Sequence, residues 1–156
     1  GIRHEVIVFD MARFLGYGER ALGLVSRLTT HETAHILMHK RWPVLAEDVP
    51  YRRQLQHLCF DEGFAHLLAC GEEIASFDFS GWVDQYWEPS LQKLREALAC
   101  TDPEKQQECL IRATAGPYWE KFACITGKLY LAQHRDQLVS IYSEGPDRFL
   151  PELFLP

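Results

Sequence analysis

Apolar residues recur at helical spacing along most of the chain, and glycine or proline interrupts them at intervals. The predicted helices cover residues 19–40, 51–70, 82–99, 102–113, 117–134 and 136–143, with a pause in the third at Pro89. Residues 5–9, EVIVF, form the one clear run rich in β-branched residues and predict a short strand at a sheet edge. The sequence therefore predicts a mainly α, compact helical domain with at most a short β segment near the N-terminus.

The length and the net charge of the chain restrict the class of protein to which it can belong. The 156 residues suit a single domain, 1–156, with a core large enough to need no disulfides. Sixteen Lys and Arg residues stand against 22 Asp and Glu, for a net charge of −6, and no basic run occurs. We therefore expect no nucleic-acid partner. No apolar run approaches the roughly 18 residues of a membrane span, so we expect no such span either.

The five cysteines, at positions 59, 70, 100, 109 and 124, are odd in number and include no C-x-x-C pair. We expect reduced and mostly buried thiols, with a Cys100–Cys109 disulfide as the main exception to test. Residues 1–5 lack the apolar segment of a signal peptide, although the glycine at position 1 leaves a removed leader or an upstream domain open. These features favour a cytoplasmic location without fixing it.

Residues 31–35 read HETAH, an H-E-x-x-H pattern inside the first long predicted helix. Because four residues make just over one helical turn, His31 and His35 share a face, about 6 Å apart, and can bind one zinc ion. They also interrupt the apolar stripe of this helix, where buried imidazoles need partners. Glu32, one position round the helix, would lie beside the metal and take a proton from a zinc-bound water.

Glu62 is the expected third ligand, because it occupies an apolar stripe of the second predicted helix, where an unpaired carboxylate is costly to bury. The chain between His35 and Glu62 is long enough for a turn and a helix that returns past the first. His31, His35 and Glu62 would form a two-His, one-Glu set with an open fourth position, as catalytic zinc requires. Two alternatives stay open: Glu62 pairs with Arg52 or Arg53, and the histidines form a metal-free, hydrogen-bonded helix face.

Two segments, LTTHETAHI at 28–36 and FDEGFA at 60–65, resemble the gluzincin clan of zinc metallopeptidases. The E-G-x-A box is similar to that of the small "predicted Zn-dependent protease" families in this clan. More weakly, residues 127–132 and 145–150 resemble the closing helices of such families. The resemblance implies zincin-like active-site helices, bound Zn²⁺, and hydrolysis of peptide bonds in a peptide or protein substrate. It also implies ligands at His31, His35 and Glu62, with Glu32 as general base.

The chain departs from the gluzincin pattern in two places. Many gluzincins carry an acidic residue four positions after the ligand glutamate, which hydrogen-bonds a zinc histidine, whereas this chain has His66. Asp61 could take over that role. Gluzincins also usually offer the substrate an edge strand upstream of the active helix, and residues 5–9 are the one candidate. His39, one turn beyond His35, is interpreted as a partner of the helix C-terminus.

A hydrolase also needs a group that stabilises negative charge on the reacting carbonyl oxygen. Tyr130 and His134 lie one turn apart on a late predicted helix that should close over the site. Tyr130 or His134 is therefore predicted to contact the carbonyl, with Tyr118 as a further option. The alternative for such aromatic residues is packing between helices. An apolar cleft could also be lined by aromatic residues for which packing is the default, namely Trp42, Trp82, Tyr86, Trp87 and Trp119.

Three functional hypotheses fit the same residues. The leading hypothesis is a zinc metallopeptidase with Glu32 as the catalytic base. The second is a regulatory metallopeptidase resembling the IrrE/ImmA type, which cuts one partner protein and few generic peptides. The third is a binding or interaction domain in which the metal ties the helices together without turnover. A fourth protein ligand, such as His66, would favour the third hypothesis.

Overall fold

Helices make up most of the molecule, which confirms the predicted mainly α fold. The structure, a computed structural model, describes residues 2–3, 6–10, 12, 14, 16–46 and 48–154. The α-helices in these ranges are α1 (Ala21–Arg41), α2 (Tyr51–Leu68), α3 (Ser80–Leu98), α4 (Pro103–Thr114), α5 (Phe122–Gln133), α6 (Leu138–Glu144) and α7 (Pro151–Phe154). None of them is long and apolar enough to cross a membrane.

Two strands of two residues each make a small hairpin near the N-terminus. These strands, β1 (Ile2–Arg3) and β2 (Val6–Ile7), pair in antiparallel. The predicted strand at residues 5–9 is shorter than expected, because residues 8–10 are irregular, while Glu5 lies outside the described residues. So short a pair adds little stability, and the helices must supply the core.

The start of α4 is encoded locally, as an N-cap followed by proline. The Asp102 carboxylate accepts hydrogen bonds from the backbone N–H groups of Glu104, at 3.0 Å, and Lys105, at 3.4 Å. Pro103 takes the first helical position, where its missing N–H would have no partner in any case. The predicted beginning of this helix at 102–103 is therefore confirmed.

Helix α3 runs through Pro89 without interruption, so the predicted pause there is wrong. Proline removes a backbone N–H and usually ends or kinks a helix. Pro89 lies on the exposed side of α3, while Ser90, Leu91 and Leu94 beyond it are buried in the face that packs on α5. The stabilisation from packing on the buried face outweighs the free energy that the proline costs the helix. The spacing of apolar residues in the sequence does not show how large that stabilisation is.

Helices α2 and α5 form the centre of the molecule. Leu55 and Phe60 on α2, and Ile125 and Leu129 on α5, have no exposed surface. Helix α1 packs on α2, α3 packs on α5, and α4 contacts both central helices. Helix α5 is buried on nearly every side, which accounts for its almost continuous apolar sequence.

The two central helices touch backbone to backbone at a pair of glycines. A Cβ atom added to Gly127 would overlap the carbonyl oxygen of Cys59, and one added to Gly63 would lie 2.7 Å from the carbonyl carbon of Gly127. Neither helix has room for a side chain at this point. The crossing therefore fixes the positions of the adjacent residues, Glu62 on α2 and Lys128 on α5.

The C-terminal segment folds back onto α2 through two arginines. Arg53 donates two hydrogen bonds to the Asp147 carboxylate, both of 2.8 Å. Arg52 donates to the backbone carbonyls of Leu153 and Phe154. These contacts hold the short helix α7, which the sequence pattern does not predict.

The five cysteines are all free thiols, and no Cys100–Cys109 disulfide is formed. Cys59 and Cys124 are buried and the other three are half-buried. Burial raises the pKa of the Cys59 and Cys124 thiols, so neither is poised to react as a thiolate.

Gly127→Ala should destabilise the protein by about 1–3 kcal/mol, because the added methyl group must push α2 and α5 apart. Gly23→Ala is the matched control, since a methyl group at that position of α1 meets no atom within 4 Å. The control should leave stability unchanged or raise it by up to about 1 kcal/mol. Urea unfolding measures both variants, and equal midpoints would contradict a tight crossing.

Candidate functional site

Helices α1 and α2 bring the three predicted metal ligands together. The Nε2 atoms of His31 and His35 lie 3.1 Å apart. On α2, Glu62 places Oε2 3.8 Å from His31 Nε2 and Oε1 3.9 Å from His35 Nε2. The Glu62 side chain is 21% exposed and faces the histidines rather than bulk solvent. The positions of these residues in the sequence of each helix therefore correctly predict that the three side chains lie close together.

His66, one helical turn after Glu62, joins the same group. Its Nε2 lies 3.5 Å from Glu62 Oε2, and its ring centroid lies 4.6 Å from that of His31. One donor atom each of His31, Glu62 and His66 lie within 4.8 Å of one another, close enough to hold one metal ion. The position that is acidic in many gluzincins therefore places an imidazole beside the donors.

Asp61 contacts two histidines of α1. Its Oδ2 is 3.0 Å from His35 Nδ1 and 3.1 Å from His39 Nε2. A carboxylate beside Nδ1 favours a proton on that nitrogen, which leaves His35 Nε2 with a lone pair toward His31 and Glu62. Asp61 thus lies where the predicted supporting residue should lie. His39, interpreted from sequence as a partner of the helix end, pairs with Asp61.

Burial and mutual contact decide the charges of these groups. Burial, aided by His35, lowers the pKa of His31 from 6.5 to about 4, and burial, aided by His31, lowers that of His66 to about 3. Burial also lowers the pKa of His35, but Asp61 outweighs it and the net pKa is raised. Burial raises the pKa of Glu62. His31 and His66 are therefore neutral near pH 7, the form in which imidazole binds a metal.

The donor set fits a zinc ion. In a tetrahedral shell, Zn–N and Zn–O bonds of about 2.0–2.2 Å separate the donor atoms by about 3.3–3.6 Å. The separations among His31, His35 and Glu62, from 3.1 to 3.9 Å, bracket that range when both oxygens of Glu62 are counted, Oε2 toward His31 and Oε1 toward His35. With one donor atom per residue, His35 instead groups with His39 and Asp61, and these three could also hold a metal ion. Two imidazoles and a carboxylate also accept manganese, iron or cobalt.

Two of the three predicted ligands lie in the wall of a cavity of about 570 Å³, within the usual size of small-ligand sites, and His35 does not line it. His31, Glu62 and His66 line it, and Glu32 lines it as well. Glu32 is therefore beside the donors and not among them, as its position in the helix predicts. The remainder of the wall comprises Leu24, Arg27, Leu28, Ala69, Cys70, Trp82, Thr114, Tyr118, Trp119, Lys121 and Lys128.

Tyr130 and His134 lie elsewhere, and neither lines the cavity. The Tyr130 ring packs 5.1 Å from that of Phe149, and His134 Nδ1 contacts the Tyr130 carbonyl oxygen at 2.8 Å. Tyr130 follows Lys128 by two residues, which turns it about 160° away around α5. This placement does not support the prediction that Tyr130 and His134 contact a reacting carbonyl. Tyr118, the further option, does line the cavity.

The arginines considered as alternative partners of Glu62 are engaged with the C-terminal segment. Within the described ranges, the ion-pair contacts of Glu62 are all with histidines. Its Oε2 also accepts a contact of 3.6 Å from Cys124 Sγ on α5. A simple surface ion pair therefore does not account for this half-buried carboxylate.

Sequence spacing did not single out Lys128, although a signal was present. Lys128 is the one charged residue in the apolar run FACITGKLYLA at 122–132, as misplaced there as Glu62 is on its own stripe. Trp82 and Trp119, assigned to packing by default, line the cavity together with Lys128. Beyond α2, the sequence pattern therefore indicates Tyr118 and, as an alternative to packing, Trp82 and Trp119, but it misses Lys128.

No protein-family model matches the chain, and no curated protein or solved structure matches it either. The resemblance to gluzincins consequently depends on the segments at 28–36 and 60–65 and stays a prediction.

Through His31 and His66, the metal-free protein should lose stability as the pH falls from 7 to 5, while His35, whose pKa is raised, works in the opposite direction. In this range His31 and His66 take up protons in the unfolded chain, whose histidine pKa is 6.5, but not in the folded protein. The unfolded state then binds more protons, which lowers the free energy of unfolding by about 1–2 kcal/mol per histidine. His66→Asn should therefore show a shallower decline. Chemical unfolding with a chelator present measures it, and identical slopes in both proteins would refute this account.

Proposed function

We propose that this protein is a zinc-dependent metallopeptidase in which His31, His35 and Glu62 hold the metal ion and Glu32 is the general base. The observation that carries the proposal is the convergence of the three donors beside one cavity, whose wall includes His31, Glu62 and the expected base Glu32. A carboxylate in the donor set and a cavity beside it favour a catalytic site. Structural zinc sites are closed and mostly built from Cys and His.

The roles of the side chains follow from their positions. When bound, zinc supplies Lewis-acid chemistry, polarising a carbonyl group and lowering the pKa of water toward 7. Glu32 takes a proton from the attacking water and delivers it to the leaving amine. Asp61 holds His35 in the orientation and tautomer that ligation needs. Tyr118, which accepts a hydrogen bond from Lys128, donates its own proton toward the carbonyl oxygen of the substrate.

Glu32→Gln should retain zinc and lose hydrolysis by at least about 10²-fold, because general-base catalysis contributes about 10²–10⁴-fold. Elemental analysis of protein purified without chelator measures the metal. Cleavage of a mixed peptide library, followed by mass spectrometry, measures hydrolysis.

Glu96→Gln, at an exposed position of α3, is the matched control and should keep both zinc and hydrolysis. Unchanged hydrolysis in Glu32→Gln, or purified protein that binds no zinc, would refute the proposal. A library that stays intact while a single partner protein is cleaved would instead favour the regulatory type of peptidase.

The position of His66 supports a second candidate function, a metal-stabilised interaction domain without turnover. With Nε2 3.5 Å from Glu62 Oε2, His66 could complete a shell of four protein ligands. A shell closed in this way leaves no metal position for substrate. The two candidates thus assign His66 different roles, a hydrogen-bond donor to Glu62 in the peptidase and a metal ligand in the interaction domain.

His66→Asn separates the two candidates. For the peptidase, we expect zinc affinity to fall by about 10–100-fold, as when a hydrogen-bond partner of a ligand is lost, with hydrolysis retained. Competition with a colorimetric chelator measures the affinity, and His134→Asn, outside the cavity, is the control. The interaction domain would be favoured if the unsubstituted protein hydrolyses no peptide and the His66→Asn variant loses both its zinc and its folded state.

A further inference from the structure

Lys128 is the buried charge that a metal site does not explain. It lies on the central helix α5, is only 2% exposed, and lines the same cavity as His31 and Glu62. An ammonium group is costly to bury without a counter-charge. Its position therefore calls for a charged ligand or a charged neighbour.

The neighbours that hold Lys128 are neutral. Its Nζ donates a hydrogen bond of 3.0 Å to the Tyr118 hydroxyl and lies 4.4 Å from the centroid of the Trp82 ring. Among residues 16–46 and 48–154, no carboxylate forms an ion pair with it. Aromatic faces stabilise a cation without neutralising it. Of the three N–H donors of this ammonium group, Tyr118 uses one, so donors are left for a ligand.

Other cations line the same cavity. Arg27 and Lys121 join Lys128 there, against Glu32 and Glu62, although the chain as a whole carries a net charge of −6. A concave site with clustered positive charge concentrates anions. If Glu62 ligates a divalent cation, the local balance becomes more positive still. These charges favour a ligand that is anionic in part.

An aromatic wall adjoins the ammonium group. The rings of Trp82 and Trp119 lie 5.3 Å apart, and Tyr86 stacks on Trp119 with a centroid separation of 3.8 Å. Trp82 and Trp119 line the cavity. Such flat faces bind apolar and aromatic groups. The same ligand should thus combine an apolar part with its negative charge.

We propose that Lys128 binds a carboxylate of the peptide in this cavity, while Trp82 and Trp119 contact an apolar side chain of that peptide. A carboxylate is the anionic group that an unmodified peptide carries, at its C-terminus or on Asp and Glu side chains. The carboxylate belongs either to the peptide C-terminus or to an acidic side chain. This inference rests on the proposed function, because it assumes that the cavity binds the peptide substrate.

Binding of three peptides to the full chain carrying Glu32→Gln tests the proposal without turnover. The peptides are N-acetyl-Ala-Ala-Phe as free acid, the same peptide as C-terminal amide, and N-acetyl-Ala-Glu-Phe amide. At least one carboxylate peptide should bind about tenfold or more tighter than the neutral amide, the factor typical of a charge-assisted hydrogen bond. Which of them does so identifies the source of the carboxylate. Isothermal titration calorimetry, with zinc and again with chelator, measures the affinities.

Lys128→Met should remove this preference and leave the affinity for the neutral amide within about twofold. Lys128→Arg should keep the preference. Lys105→Met, which removes the same charge from a side chain 71% exposed on α4, is the matched control and should also keep it. Circular dichroism establishes that each variant is folded. If Lys128→Met does not fold, the affinities of the three peptides for the chain that retains Lys128 still test the proposal.

Equal binding of the three peptides, binding of none, or a preference that survives Lys128→Met would overturn the proposal. Lys128→Met with Glu32 intact adds a further test. An equal loss of turnover for acid and amide peptides would show that Lys128 acts on the reacting carbonyl instead. The preference for carboxylate in a protein that binds no zinc and cleaves nothing would support this site and refute the peptidase.

Discussion

The backbone contact between Gly63 and Gly127 is the constraint on which the site depends. Because α2 and α5 touch there with no side chain between them, their neighbouring residues have fixed relative positions. Glu62 precedes Gly63 and Lys128 follows Gly127, so one crossing places a carboxylate and an ammonium group at the same cavity. Helix α1 then packs on α2 and brings His31 within 3.8 Å of that carboxylate. The close approach of the two helices thus requires glycine in the E-G-x-A box, whether or not the site is catalytic.

The polar groups inside this fold form one connected cluster. Glu62 contacts three histidines and Asp61 contacts two, and the described residues add no arginine or lysine to these contacts within ion-pair distance. The Nε2 atoms of His31 and His35, 3.1 Å apart, form a hydrogen bond whose direction depends on the tautomers, which fits the metal-free alternative for this pair. A divalent cation among these groups would neutralise Glu62 and take up the Nε2 lone pairs of the histidines. The proposed metal and the metal-free helix face thus differ in what occupies the space between the same donor atoms.

The sequence predicts best those features that depend on one helix at a time. Helix α2 is observed at Tyr51–Leu68 against a prediction of 51–70, and Glu62 stands out because a single stripe makes it anomalous. Features that depend on packing between helices were harder to predict. Only the rotation of α5 decides that Lys128 faces the cavity while Tyr130 faces Phe149. Like Glu62, Lys128 is a charged residue in an apolar stretch of helix, but no sequence motif beside it indicated a function.

The order of groups along the cavity links recognition to chemistry. The His66 ring lies 5.4 Å from the Tyr118 ring, and Tyr118 in turn accepts a hydrogen bond from Lys128. A carboxylate bound by Lys128 would therefore place the adjoining peptide next to Tyr118 and, beyond it, the metal donors. Its negative charge beside the ammonium group would also weaken the hydrogen bond from Lys128 to the Tyr118 oxygen, and so change how strongly that hydroxyl donates. Because the surroundings of Lys128 are poorly solvated, each of these contacts is stronger than it would be at the surface. One buried lysine thus couples the binding of a charged ligand to a hydroxyl beside the candidate metal centre.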